Sequence, residues 1–435
     1  MEKKYIEECC QFIEKCPSPF HAIEEIKRNC QVENFEELKE GKIWDLKRGG
    51  SYYVTRNDSS IIAFKIGKDM KNLAFNATSS HSDSPMFRLK ENCEIDMNQH
   101  YLKLNTEGYG SMIASSFFDR PLSLAGRVIV KNEKGFTVSL FDANRDLLLI
   151  PNVAIHMNRE INNGYKYNLQ VDLNPLLGSN QGIGSIKKLV ANQLNVSVDQ
   201  IISMELNLYN RVPASIWGLD EEYVSSSRLD DLECAYTTLT GFLKSKNEAR
   251  VNVYSCFDNE EVGSSTKQGA AGTFLRDTLM RIASSLGYTQ EDYQCSIASS
   301  FMVSADNAHA IHPNHPELSD NDNKVYMNEG IVIKRNASQK YTTDALSQAV
   351  FASVAMSVDV PLQYFFNRSD MQGGSTLGNI SSVNVAMNSV DIGLAQLAMH
   401  SAYETAGVKD AESMHKVIKA FYETNFTPTD EGFTL

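Results

Sequence analysis

No run of apolar residues in this chain is long enough to cross a bilayer, which excludes a helical membrane protein. None of the eight cysteines (Cys9, Cys10, Cys16, Cys30, Cys93, Cys234, Cys256 and Cys295) stands in a Cys-x-x-Cys pair. That absence argues against a dithiol redox centre or a zinc finger. The neighbours Cys9 and Cys10 cannot readily bridge, so all eight are expected to be reduced, apolar packers without a catalytic role. The stretch "GSNQGIGS" at 178–185 lacks the Gly-Lys-Ser/Thr ending of a phosphate loop and is expected to be a plain loop. Positive charge is also short: 41 Lys and Arg against 54 Asp and Glu leave a net charge of -13. Nucleic acid and anionic membrane are thereby excluded as main partners, although a single lysine can still serve a small acidic substrate. The opening "MEKKYIEECCQFIEKC" is charged throughout and has no apolar centre, so no secretory signal and a cytoplasmic location are expected.

With 435 residues, the chain exceeds one ordinary core and fits two domains, or one large domain with an insertion. Apolar spacing predicts helices in "YIEECCQFIEKC" and in "SPFHAIEEIKRNC", the second with a Ser-Pro start. Strand signals follow in "SYYVTR", "SIIAFKIG" and "NLAFNATSSHSD". A β-rich stretch is expected from Met86 to Leu173, including a hairpin in "RVIVKNEKGFTVSLF". Beyond Ala214 apolar strand-like runs alternate with helical ones: helix 229–246, strand 251–257, helix 268–286, strand 295–304, helix 343–357, strand 361–366 and a last helix near 411–424. This alternation predicts a three-layer α/β fold. The expected division is a catalytic α/β domain of residues 1–88 and 215–435, interrupted by a β-rich domain of residues 89–214.

Polar residues gather where the apolar runs stop. His81 and Asp83 lie in "SSHSDSP", two residues apart and on one face of an extended chain. A carboxylate at Asp83 can accept the second N–H of His81 and leave its other nitrogen for a metal. Asp230 and Asp231 lie in "SSSRLDDL", where a helix N-terminus is the plainer local explanation. Glu260 and Glu261 stand side by side in "FDNEEVGSS", directly after "VNVYSC". Asp306, His309, His312 and His315 follow "SIASSFMV", and His400 closes "LAQLAMH". Ligands collect outside the carboxyl ends of strands in open α/β sheets. Two histidines among carboxylates suit zinc, manganese or cobalt rather than calcium. Five ligands exceed the needs of one catalytic zinc and imply two ions sharing a carboxylate.

"HSDSP", "RLDDL", "DNEEVGS", "SADNAHAIHPN", "GIVIKRNASQKY" and "QLAMHS" make the chain resemble the aspartyl aminopeptidase family of dinuclear metallopeptidases, in its bacterial form. "SFFDRPLSLAGRVIV" and "IPNVAIHMNREIN" extend the likeness into the inserted segment, so that it covers nearly the whole chain. The resemblance implies that His81, Asp230 and Asp306 hold one ion and that Asp230, Glu261 and His400 hold the other. It further implies Glu260 as general base and acid, with Asp83 behind His81. His156 would come from a neighbouring subunit to meet the developing oxyanion. Lys334, His312, Gly374 and Ser375 are the expected substrate-binding residues. Two divalent ions per subunit are implied, zinc first, with manganese or cobalt as alternatives. The implied assembly is a homo-oligomer, at least a dimer and in the family a dodecameric shell that admits peptides. Family members take acidic or neutral first residues. Met371, Gln372 and Tyr403 depart from the family's usual residues near the site. The competing expectations are a related two-metal carboxypeptidase or deacylase, and a non-catalytic peptide-binding shell.

Overall fold

The computed structural model describes residues 2–179, 182–429 and 432–434. Asn180 and Gln181, inside the stretch read as a loop, lie outside the described residues; Gly178 and Ser179 end a short strand, and Ser185 opens a helix. Strand Val251–Phe257 explains the architecture. Every residue in it is buried, so both faces of its sheet must be covered. Side chains alternate across the sheet. Val251, Val253 and Phe257 join the core on one face, while Tyr254 and Cys256 join the core on the other.

The sheet has nine strands, in the order 36–38, 51–56, 60–66, 251–257, 75–81, 301–305, 388–393, 331–335 and 362–366. Its four central strands, from 251–257 to 388–393, run parallel. Helices Glu2–Glu14, Leu229–Lys244 and Val408–Glu423 bury Ile6, Leu239 and Phe421 against one face. Helices Phe274–Ser285 and Gln290–Ala298 bury Leu279 and Ile297 against the other. The fold is therefore α/β, in three layers. The strand at 251–257 and the helices near 229–246, 343–357 and 411–424 fall where the alternation predicts them.

Two elements differ from the sequence expectation. The helix expected from 268 starts at Phe274, because the preceding turn has no room for helical side chains. A Cβ on Gly269 would lie 2.2 Å from the Ser264 carbonyl oxygen, and one on Gly272 would lie 2.7 Å from that of Thr266. The strand expected over 295–304 begins at Phe301. Cys295–Ala298 instead finish the helix Gln290–Ala298, which Thr289 and Asp292 start with a reciprocal capping box.

A second, antiparallel sheet of six strands has its own core around Phe87, Leu104, Leu124 and Phe141. Its hairpin Leu122–Asn132 with Gly135–Asp142 is the one expected. The β-rich expectation fails between 143 and 175, where only isolated bridges and turns occur. A third sheet of five short strands joins 215–217, 223–226, 404–407, 395–397 and 308–309. All eight cysteines are free, and all but Cys295 are buried. No described helix is long and apolar enough to cross a membrane.

Candidate metal centre

Parallel pairing brings the polar tips together. His81 ends its strand opposite Phe257, so the turn carrying Glu260 and Glu261 emerges beside it. Asp306 follows the parallel strand on the other side of the His81 strand. Asp230 comes from the first turn of helix Leu229–Lys244 and His400 from the turn between the strands 395–397 and 404–407. These groups sit outside the carboxyl ends of the central strands, as the rule for open α/β sheets requires.

Asp230 lies at the middle of the cluster. Its Oδ1 is 3.3 Å from His81 Nε2, and its Oδ2 is 3.4 Å from His400 Nε2. Glu261 Oε2 is 3.3 Å from the same His400 nitrogen. Among the described residues, three overlapping sets could each hold an ion, their ligand atoms lying within 4.8 Å of one another: His81, Asp230, Asp231 and Asp306; His81, Glu260 and Glu261; and Asp230, Glu261 and His400. Asp231 is not among the ligands expected from the sequence. It is joined to Asp230 by a cis peptide, and its Oδ2 accepts the backbone N–H of His81 at 3.0 Å.

Both imidazoles are oriented from behind. His81 Nδ1 is 3.0 Å from the Asp83 carbonyl oxygen and 3.5 Å from the Asp83 carboxylate. His400 Nδ1 is 2.6 Å from the Ser111 carbonyl oxygen. Donation from Nδ1 leaves each Nε2 lone pair facing the carboxylates, the tautomer that a metal needs. Main-chain oxygen thus accepts the His81 proton at a shorter distance than the Asp83 carboxylate expected for that task.

The Asp83 carboxylate has further work. It accepts the backbone N–H groups of Glu260 and Glu261 at 3.1 and 3.2 Å, and the Tyr109 hydroxyl at 2.6 Å. Asn259, left-handed at φ 64, starts the Glu-Glu turn. Its side chain donates to Tyr109 and accepts from Thr266 and Gln268. Tyr109 and Ser111 belong to the six-stranded region, and no local sequence pattern pointed to them.

Charge explains what the cluster can hold. Burial alone would push the His81 imidazole down, yet Asp231, Asp230 and Asp83 hold it well above its ordinary value. Burial is likewise outweighed at His400, which Asp230 raises to about 9. Burial, reinforced by Asp306, Asp83 and Asp230, pushes Glu260 up to about 8. Glu261 rises through burial and the charge of Asp230. Such a field favours any added positive charge. Asp230 Oδ1, Asp231 Oδ1 and Glu261 Oε1 are buried without a hydrogen bond. Orphaned buried carboxylate oxygens beside imidazole nitrogens fit a divalent cation.

The cluster floors a cavity of about 210 Å³. Gly374, Ser375, Tyr341 and Phe365 line it together with Lys334. The Lys334 ammonium is buried and donates to the carbonyl oxygens of Asp306 and Asn307 at 2.7 and 3.2 Å. His309 lines the cavity, whereas His312 does not. Past His312-Pro313 the chain turns outward, and the exposed His312 ring packs on His315 instead. His156 is exposed in the 143–175 segment and is absent from the cavity wall.

An α/β sheet with imidazoles and carboxylates around one cavity defines a metal-dependent hydrolase. Residues 12–422 match the family described as aminopeptidase I zinc metalloprotease (M18), and the chain belongs to that family of zinc aminopeptidases. It is 45% identical over 426 residues to a probable M18 family aminopeptidase 2 of Clostridium novyi, covering 96% of this chain and 98% of the relative. A cryo-EM structure of the Ape4 and Nbr1 complex contains a chain 35% identical, with a TM-score of 0.94 over 97% of this chain and 86% of that one. The S. cerevisiae mApe1 dodecamer shares the fold at 24% identity, with a TM-score of 0.85 over 97% and 96% of the two chains.

Proposed function

We propose that this metalloaminopeptidase binds two divalent ions side by side, with Asp230 as the shared ligand, and cleaves N-terminal residues from peptides. The observation that carries the reading is the placement of one Asp230 oxygen toward each imidazole Nε2. His81 and Asp306 complete one set, and Glu261 and His400 the other. Zinc, or manganese or cobalt in its place, supplies a Lewis acid and a water of lowered pKa when bound. Glu260, held beside its neighbour by Asp83, takes the proton from the attacking water and passes it to the leaving amine. Lys334 offers a buried ammonium to an acidic first side chain, while Phe365 and Tyr341 offer apolar walls to a neutral one.

Residues 89–214 form the inserted assembly unit, and 1–88 with 215–435 form the catalytic one. Ile155, Met157 and Val171 are 48%, 82% and 66% exposed, which suits burial against another copy. His156, between the first two, then reaches a neighbour's cavity and donates to the oxyanion. The assembly is at least a dimer, and a dodecamer in the reading that follows the yeast relative. A cytoplasmic setting suits a chain whose cysteines are all free.

Glu260→Gln tests the mechanism. Bound metal and melting temperature should persist while kcat falls by about 10²–10⁴; undiminished peptide hydrolysis rejects the role. An N-acetylated peptide should resist cleavage. Its hydrolysis would favour the deacylase or carboxypeptidase reading instead.

A further inference from the structure

Glu404 stands four residues after His400, is 2% exposed and belongs to none of the sets that could hold an ion. Its Oε1 accepts the backbone N–H of His400 at 2.7 Å, and its Oε2 accepts that of Asp230 at 3.1 Å. Regular structure fixes neither main chain. Asp230 is non-helical, with φ -81 and ψ 109 inside the first turn of its helix, and His400 is left-handed at φ 66. A left-handed backbone at a residue other than glycine, as at His400, persists when its surroundings over-determine it. The side chains of these same two residues face each other at 3.4 Å. One carboxylate therefore sets the spacing between two groups that come from distant parts of the chain.

The surroundings reinforce this placement. Ser84 donates to the Asp230 carbonyl oxygen at 2.9 Å, and Ser111 accepts from the His400 ring. Asp83 does the corresponding task across the cluster, where it takes the N–H groups of Glu260 and Glu261.

We infer that Glu404 is a positioning residue for the metal pair: by clamping the backbones of Asp230 and His400, it fixes the set made by Asp230, Glu261 and His400. The inference rests on the two-ion reading. It explains why a carboxylate serves here. An amide has one oxygen, and its NH₂ would face an N–H, so one backbone would lose its acceptor.

The test is a calorimetric titration of the metal-free full-length protein with Co²⁺ and with Mn²⁺, for wild type and Glu404→Gln. Wild type should take two ions. Glu404→Gln should bind one of them about 10–100-fold more weakly, with the other changed less, and kcat lost at limiting metal should return as metal is raised. Glu404→Asp, which keeps two acceptors on a shorter stem, should recover part of the affinity, and it takes the place of the amide variant if that one does not fold. Asp410→Asn provides the matched control. Asp410 is also buried and accepts two backbone N–H groups, from Asn328 at 2.6 Å and Gly330 at 2.9 Å, away from the cluster. A merely structural role would make the Glu404 and Asp410 variants alike, less stable but with both ions bound as in wild type, and that result overturns the inference. A wild-type protein that binds fewer than two ions overturns the two-ion reading and this inference with it.

Discussion

The cluster around Asp230 and the segment 143–175 solve opposite problems. Around Asp230, groups costly to bury are buried together: His81, Asp230 and Asp231 are each at most 3% exposed. Their compensation comes from within the chain, through Asp83, Glu404, Ser111 and the orphaned oxygens that a cation would satisfy. In the 143–175 segment, groups that gain by burial are left outside, with Met157 at 82% exposure. One region lacks positive charge and the other lacks apolar cover. On the proposed reading, a divalent cation would satisfy the first and another copy of the chain the second.

Metal removal should give the largest separation between the two. Chelation should abolish turnover, and zinc, manganese or cobalt should restore it. An ion present at a thousandfold excess over its Kd stabilises the folded state by about 4 kcal/mol, so the melting temperature should fall as well. Hydrogen exchange should rise around 81, 230, 260 and 400 while the hairpin 122–142 keeps its protection. Loosening of both regions together would break the contrast.

The next effect belongs to the exposed segment. His156→Ala should lower kcat by about 10²-fold, the typical cost of one oxyanion donor, with metal and assembly intact. Met157→Glu should dissociate the assembly and lower activity while both ions stay bound. The decisive variant is a mixture. His156→Ala and Glu260→Gln chains assembled together at equal ratio should recover roughly a quarter of wild-type activity, since each copy supplies what the other lacks. No recovery in a mixed assembly would place His156 outside a neighbour's site.

The same contrast separates what the sequence disclosed from what it concealed. His81, Glu261, Asp306 and His400 each close an apolar run, and a polar residue at such a stop can be read from local pattern. The parallel order of strands then brings them together. Asp231 was concealed because a helix start explains an Asp-Asp pair equally well. Glu404 follows no apolar run, and its task shows only when the turn at His400 folds back onto the helix start. Tyr109 and Ser111 reach the cluster from the other sheet, a juxtaposition that no spacing along the chain encodes. His312 lies exposed beside the bend at Pro313, and His309 is the residue on the cavity wall. Asn-rich turns occupy 143–175, where apolar residues suggest strands.

The smallest expected effect tests whether the catalytic region is stabilised by its own buried groups, at the far end of the helix that begins with Asp230. Lys65 donates there to the carbonyl oxygens of Phe242 and Ser245 at 2.5 and 2.6 Å. Burial depresses its ammonium to about 8 from an ordinary 10.5, although Glu33 and Glu423 pull the other way. A depressed value means that the folded state gives up the proton more readily. The contribution of Lys65 is therefore fully present above pH 10.5 and is lost as the pH falls through about 8. Against Lys65→Met, wild type should keep a constant stability difference below pH 8 and gain between pH 8 and 10.5, by no more than about 3 kcal/mol. Urea unfolding of both chains in the Met157→Glu background, with metal bound, reads this without assembly. A difference that stays flat to pH 10.5 would mean that the ammonium reaches water and carries no desolvation cost at this end of the helix.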